Sequence, residues 1–387
     1  MTTFLIRLFI KDYQQIQDPN IRQKYGILGS CVGICCNIFL FLAKLMAGIL
    51  TSSISILADA FNNLSDAGSS IVTLLGFKIA GLPADANHPF GHGRAEYISG
   101  FIVSLVIMLM GFELGKSSFE KILHPQIITF HWLSLFILLL SIAVKLWMAL
   151  FNRTLGKKIN SAAMQATSLD SLSDMIATLA VTIGMLIHHY FHLNIDGYIG
   201  LLVALFIIYT GFMTAKDTLN LLMGQNPDPD FVNQIQTKVL QYPEIVGIHD
   251  LIVHNYGPGK SIISLHAEVP CQADILKIHD VIDTIERELK LAFHCEAVIH
   301  IDPIATNDKK TNEVKNRVAQ LIKIIDPCLA MHDFRMVPGD THTNLIFDVV
   351  VPHKFRLNDE EVLNTIAKAV KVIDEAYEVT INIDKSF

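Results

Sequence analysis

Up to about position 220, apolar residues run nearly unbroken for twenty or more positions at a time, with charge gathered between the runs. Beyond that point charged, polar and apolar residues alternate. A bilayer crossing takes about 20 apolar residues in a helix. The first texture therefore predicts six transmembrane helices, near residues 27–50, 54–80, 97–119, 129–152, 160–187 and 196–221. Positive charge near span ends marks the cytoplasmic side. Arg7, Lys11, Arg22 and Lys24 precede the first run, Lys78 and Arg94 flank the second loop, Arg153, Lys157 and Lys158 lie in the fourth and Lys216 ends the last. The loops near 51–53 and 188–195 have neither Lys nor Arg. Lys116 and Lys121 run against the bias, which still places both termini in the cytoplasm. Residues 1–26 have no signal-peptide core or cleavage site and are expected to form a short amphipathic cytosolic segment.

The second texture starts after NPDPD at 226–230. Its order is helix (FVNQIQTKVLQY), strand (GIHDLIVHNYG), strand (SIISLHAEVP), helix (ILKIHDVIDTIERELKLAF), strand (EAVIHIDP), the pattern of a small open-faced α/β sandwich. The same order recurs in TNEVKNRVAQLIKII, MHDFRMVPG, NLIFDVVVP, DEEVLNTIAKAVKVI and YEVTINID. Local matches accompany it: SLHAEVP answers IFDVVVP and VIHIDP answers TINIDK. A tandem duplication is expected, with copies at 226–305 and 310–387 behind a transport domain at 27–222.

Polar residues inside apolar runs carry the first candidate chemistry. Asn62 and Asp66 lie in SISILADAFNNLSDAGSSIVTLLGF, Asp170 and Asp174 in SAAMQATSLDSLSDMIATLAVTIG. Each pair has helical i,i+4 spacing. A carboxylate at mid-bilayer costs roughly 2.5–3.5 kcal/mol even on an insertion scale, and neither segment supplies a Lys or Arg to compensate all three. Positive charge must come from elsewhere. If the two helices face each other, one Asn and three Asp make an all-oxygen cage whose natural guest is a divalent cation. Carboxylates that bind metal when ionised and take protons when it leaves would let a proton gradient drive the metal out. Asp59, one turn before Asn62, is a further candidate for the access path.

Two other groups are candidate ligands. In PADANHPFGHGRAEY, Asp85, His88 and His92 are spaced to surround a transition ion, although Pro89, Gly91 and Gly93 also suit an ordinary polar turn. In the first sandwich copy, His249, His266, His279, His300 and Asp302 occupy different strands and a helix. The second copy reads His332, Asp348, Glu361, Asn382 and Asp384 there. With most imidazoles lost, it is expected to be a structural or assembly module and the first copy the metal-responsive one.

Composition agrees with a membrane protein: 51% hydrophobic and 17% charged over 387 residues, with mean hydropathy +0.42. A net charge of −7 and the lack of a basic cluster argue against a nucleic-acid partner. Six scattered cysteines imply neither a disulfide framework nor a zinc knuckle.

Together the paired motifs, DANHPFGHGRAE, and the HDL, LHAEV, IHD and IHIDP segments resemble the cation diffusion facilitator family of metal transporters, from about residue 25 to 305. The resemblance implies a homodimer that exports divalent cations by proton antiport, with membrane lipid, metal ions and protons as its other partners; the lack of targeting signals fits a bacterial plasma membrane. It also implies a ferredoxin-like cytosolic domain that stiffens on binding metal. Carried over by residue, the transport site is Asn62, Asp66, Asp170 and Asp174. The loop site is Asp85, His88 and His92, and the cytosolic site is His249, His266, His279, His300 and Asp302. Zinc-transporting members typically have His where this chain has Asp170. Oxygen-only ligands suit Mn²⁺ best, with Fe²⁺ and Zn²⁺ as alternatives on the same scaffold. A membrane-anchored metal sensor that moves no ion is the alternative of another class. An intramembrane hydrolase lacks its HExxH or Gly-x-Ser-x-Gly motif.

Overall fold

A computed structural model describes residues 2–16, 18–51, 54–124, 132–191, 193, 195–304, 308–339 and 341–386. The chain divides into two compact units, residues 1–225 with 255–261, and residues 226–254 with 262–387.

The first unit begins with a short amphipathic helix α1 (Thr2–Phe9), followed by six long ones: α2 (Pro19–Thr51), α3 (Ile54–Ala80), α4 (Ala95–Leu123), α5 (Trp132–Lys158), α6 (Ala162–Phe191) and α7 (Asp196–Leu222). Five of the six, all but α3, are long and apolar enough to cross a membrane, so this is a multi-pass membrane protein. The expected first helix starts eight residues earlier than the apolar run suggests. Pro19 opens it, and the Asn20 amide donates to Asp18 Oδ1 at 2.8 Å, a local start signal that hydropathy does not register. The expected start of the fourth span, at 129–131, lies outside the described residues. Ile6 and Ile10 of the N-terminal segment are buried with Tyr25, Phe77, Phe151 and Leu155. Glu96, fully buried, takes a bidentate pair from Arg22 at 2.5 and 2.8 Å, and Arg22 also donates to the Ile159 carbonyl at 2.9 Å. One ion pair thereby ties α2 to α4 and to the turn between α5 and α6. Small residues allow the long helices to approach closely. A Cβ on Gly33 would lie 2.8 Å from Ser70 Oγ, and one on Gly111 would lie 2.8 Å from the Ile208 side chain.

In the second unit the order is α8 (Pro229–Val239), β1 (Gly247–Asn255), β2 (Ser261–Pro270), α9 (Ile275–Phe293), β3 (Cys295–Ile304), then α10 (Lys309–Ile325), β4 (Ala330–Pro338), β5 (Thr343–Pro352), α11 (Asp359–Ile373) and β6 (Tyr377–Ser386). The strands form two three-stranded sheets, β1-β2-β3 and β4-β5-β6. In the second, β4 pairs antiparallel and β6 parallel to β5. The central strands β2 and β5 bury every second residue, so each sheet lays one face against its helices. Ile263, Leu265, Ala267 and Val269 meet Ile278, Ile282 and Ile285 in one core. Leu345, Phe347, Val349 and Val351 meet Val362, Ile366 and Val370 in the other. Side chains of Asp228, Asp274, Asp308 and Asn358 cap the four helices. The first strand of each half also has an Asp with left-handed backbone, Asp250 (φ 50°) and Asp333 (φ 49°), directly after a His.

Candidate metal-binding sites

Helices α3 and α6 each carry a polar stripe. On α3, Asn63, Asp66, Ser70 and Thr73 are buried, while Phe61, Leu64, Ile71 and Leu75 are exposed. On α6, Thr167, Asp170, Ser171 and Ser173 are buried. The two stripes meet at Thr73 and Thr167, whose hydroxyls lie 3.0 Å apart. Burying polar rather than apolar residues inverts the pattern of a water-soluble helix and suits an apolar surround.

Asp66 and Asp170 are buried, and the Asp174 side chain is 10% exposed. Positive charge does come from elsewhere, but from the protein itself. Lys145 Nζ, on α5, lies 2.6 Å from Asp66 Oδ2 and 2.6 Å from Asp174 Oδ2, with its side chain 3% exposed. The sequence pointed to a divalent cation as the source of that charge; the structure adds an ammonium from a third helix, outside the two motif segments. Its signal was present as a lone Lys in SLFILLLSIAVKLWMALF. Asp66 Oδ1 is buried without a hydrogen bond, leaving one acceptor free beside the ion pair.

Asn62 is exposed and the structure does not bring it to the carboxylates. On α3, Asn62 lies roughly 40° to one side of Asp66 and Asn63 roughly 60° to the other, and helix packing buries Asn63 while leaving Asn62 exposed. The Asp59 side chain lies outside the described part of the structure.

In the loop between α3 and α4, the three expected ligands converge. Asp85 Oδ1 lies 3.3 Å from His88 Nδ1 and Asp85 Oδ2 lies 3.5 Å from His92 Nε2, within the reach of one ion. The Asp85 carboxylate also accepts the backbone amides of Asn87 and His88, at 2.9 and 2.6 Å. These hydrogen bonds, the one from His88 foremost, hold its carboxyl below the usual carboxylate range. The loop thus pre-positions an ionised oxygen donor beside two imidazoles.

In the second unit three of the five expected ligands, His249, His266 and Asp302, come together. Asp302 Oδ2 lies 2.8 Å from His266 Nδ1 and 3.2 Å from His249 Nε2. His300 stands at the rim, its ring 4.7 Å from that of His266 and its Nε2 3.4 Å from Asp302 Oδ1. His279 is exposed on α9 and is not part of any such group among the described residues. Its helix packs Ile278 and Ile282 inward, which turns position 279 to the outside.

The second half also departs from expectation. Asp250, His332, Asp348 and Asp384 bring one ligand atom each to within shared reach. His332 Nε2 lies 3.0 Å from Asp384 Oδ2 and 3.9 Å from Asp250 Oδ1, and the His332 ring is 4.6 Å from that of His249. Burial, with Asp384 alongside, pushes the Asp348 carboxyl above the usual range. Although the second half has fewer imidazoles, Asp250 of the first half joins its donors, a juxtaposition that position-by-position matching of the two halves does not contain.

Residues 30–223 match the cation efflux transmembrane domain, and residues 227–304 match the cytoplasmic domain of cation efflux proteins. An uncharacterized transporter of Methanocaldococcus jannaschii is 32% identical over 267 residues, covering 69% of this chain and 94% of its own. The cation-efflux pump FieF of Shewanella oneidensis is 27% identical over 279 residues, covering 72% and 94%. FieF of Yersinia enterocolitica is 27% identical over 272 residues, covering 70% and 90%. Residues 305–387 lie outside both matched regions. The two domain matches and the 32% identical relative place the chain in the cation efflux (cation diffusion facilitator) family of divalent-cation transporters.

Proposed function

We propose that the protein exports a divalent cation, Mn²⁺ foremost, from the cytosol in exchange for protons, through a site built on Asp66, Asp170 and Asp174. The observation that carries this reading is the convergence of buried carboxylates from α3 and α6 on Lys145. Three ionised carboxylates and one ammonium leave two negative charges, the charge of one divalent ion. When the cation enters, Lys145 must give up its carboxylate oxygens. When the cation leaves, protons and the returning ammonium keep the carboxylates from standing as bare charge in a low-dielectric interior. Oxygen donors favour Mn²⁺, with Fe²⁺ next; zinc or iron export on the same scaffold is the alternative. Asn62 completes the donor set if α3 rotates by a fraction of a turn during transport.

In this reading α3 is the sixth span. Its exposed apolar residues face lipid, and its polar stripe faces the bundle. Both termini are cytoplasmic, the protein works as a homodimer in the plasma membrane, and the two αββαβ halves of the second unit are a tandem duplicate. The Asp85–His88–His92 loop and the His249–His266–Asp302 cluster serve as cytosolic metal sites.

The test is metal accumulation in inside-out vesicles containing the wild type or Asp174→Ala. The variant is expected to lose transport while keeping its oligomeric state. Full transport by the variant would place the site elsewhere, and metal binding without any flux by the wild type would favour the sensor.

A further inference from the structure

We infer that Asp250, His332, Asp348 and Asp384 form a divalent-cation site that pins the two halves of the second unit to each other within one chain. Three of its donors come from residues beyond the matched family domains, and the fourth comes from β1 of the first half.

The donors reach one point because of local backbone. His332 and Asp348 are directly paired across β4 and β5. Asp384 follows two residues after Asn382, the β6 partner of Asp348. The ladder between β4 and β5 slips between His332 and Arg335, around the left-handed Asp333, and such a bulge re-aims side chains. Asp250 has the same left-handed backbone in β1. Yet the two Asp side chains do different things. Asp333 pairs with Arg335 at 2.8 Å, whereas Asp250 lies between His249 Nδ1 at 3.2 Å and His332 Nε2 at 3.9 Å.

The plainer alternative is an ordinary hydrogen-bonded network, which accounts for part of the cluster: Asp250 Oδ2 pairs with His249 Nδ1 at 3.2 Å and Asp384 Oδ1 accepts from Asn382 at 3.2 Å, but it leaves the atoms between His332 and Asp384 unpaired. His332 Nδ1 and Asp384 Oδ2 are buried without a hydrogen bond, although Asp384 Oδ2 stands 3.0 Å from His332 Nε2. In the adjoining cluster His249, 7% exposed, has a buried Nε2 that likewise makes no hydrogen bond at 3.2 Å from Asp302. Close approach without hydrogen-bond geometry is what donors aimed at a common ion show, since their lone pairs point at the ion rather than at each other. Unpaired polar atoms at such depth are otherwise costly. Three carboxylates and one imidazole suit a first-row divalent cation with a preference for oxygen, Mn²⁺ or Fe²⁺, and accommodate Zn²⁺. Binding would cross-link β1 to β4, β5 and β6 and offset most of the negative charge of three crowded carboxylates.

The experiment uses the full-length protein in detergent, stripped with chelator and titrated with Mn²⁺ while free Mn²⁺ is followed by its paramagnetic resonance signal. Wild type, Asp384→Asn and, as a second variant, His332→Gln are compared, with thermal unfolding and amide exchange read alongside. Each variant is expected to bind one ion fewer per chain and to lose the metal-induced slowing of exchange in both 247–251 and 330–334. Metal-free Asp384→Asn is expected to melt no lower than the metal-free wild type, because removing a like charge relieves crowding, while its gain in melting temperature on adding Mn²⁺ shrinks. The same stoichiometry and the same protection in both variants would overturn the inference, as would protection confined to one half. Transport need not be measured, so failure here is distinct from failure of the exporter reading.

Discussion

An ammonium held between two carboxylates in an apolar interior gives the membrane site its electrostatic character. Lys145 competes with any incoming cation for Asp66 and Asp174, and removing one partner of a buried ion pair typically costs about 3–5 kcal/mol. Lys145→Met should tighten metal binding to the membrane site, since the competitor is gone, while slowing turnover, since protons alone must then replace the departing ion. Equilibrium binding and flux on the same preparation check this, and a variant that matches the wild type in both removes Lys145 from the mechanism. Asp170→His exchanges an oxygen donor for an imidazole and should raise the zinc-to-manganese transport ratio; an unchanged ratio means that this position does not set the preference. Asp66, Asp170 and Asp174 were readable in the sequence because charge is conspicuous in apolar runs. Lys145 stands out no less, but its pairing depends on helix packing that spacing cannot supply. Asn62 has the same i,i+4 spacing to Asp66 as Asp170 has to Asp174, and its exposure follows from which way α3 packs, which spacing does not specify.

Among the elements, hydropathy located the long helices of the membrane unit well but blurred their ends. The Asp18-Pro19 start of α2 and the Asp228-Pro229 start of α8 are chemical signals in the backbone and its caps, which an apolar-run count passes over. The tail elements were legible because period-two burial in β2 and β5 and helical spacing in α9 and α11 leave distinct patterns. Asn358 closes a reciprocal capping box, in which its side chain accepts from the Glu361 amide at 2.9 Å and the Glu361 side chain accepts from the Asn358 amide at 3.0 Å. Asn358→Ala should cost about 1 kcal/mol, seen as earlier loss of exchange protection in 359–373 with transport unaffected. No change in protection would show that tertiary packing of Val362, Ile366 and Val370 alone holds α11.

For the whole molecule, two units of different texture were evident from sequence, as was the resemblance to the cation efflux family over the region that its two domains match. The recurring αββαβ order was also legible, because each half repeats a period of hydrophobic and polar positions. The joint cluster of Asp250 with His332, Asp348 and Asp384 was not, because it depends on how the halves face each other. The proposed export depends on carboxylates in the membrane unit exchanging a divalent cation for protons. The direct measurement is uptake of Mn²⁺, Fe²⁺ and Zn²⁺ by purified protein in proteoliposomes with and without an imposed pH gradient, each against Asp66→Ala. The account predicts Mn²⁺ flux that requires both the gradient and Asp66. Flux that persists in Asp66→Ala, or that ignores the gradient, would contradict it.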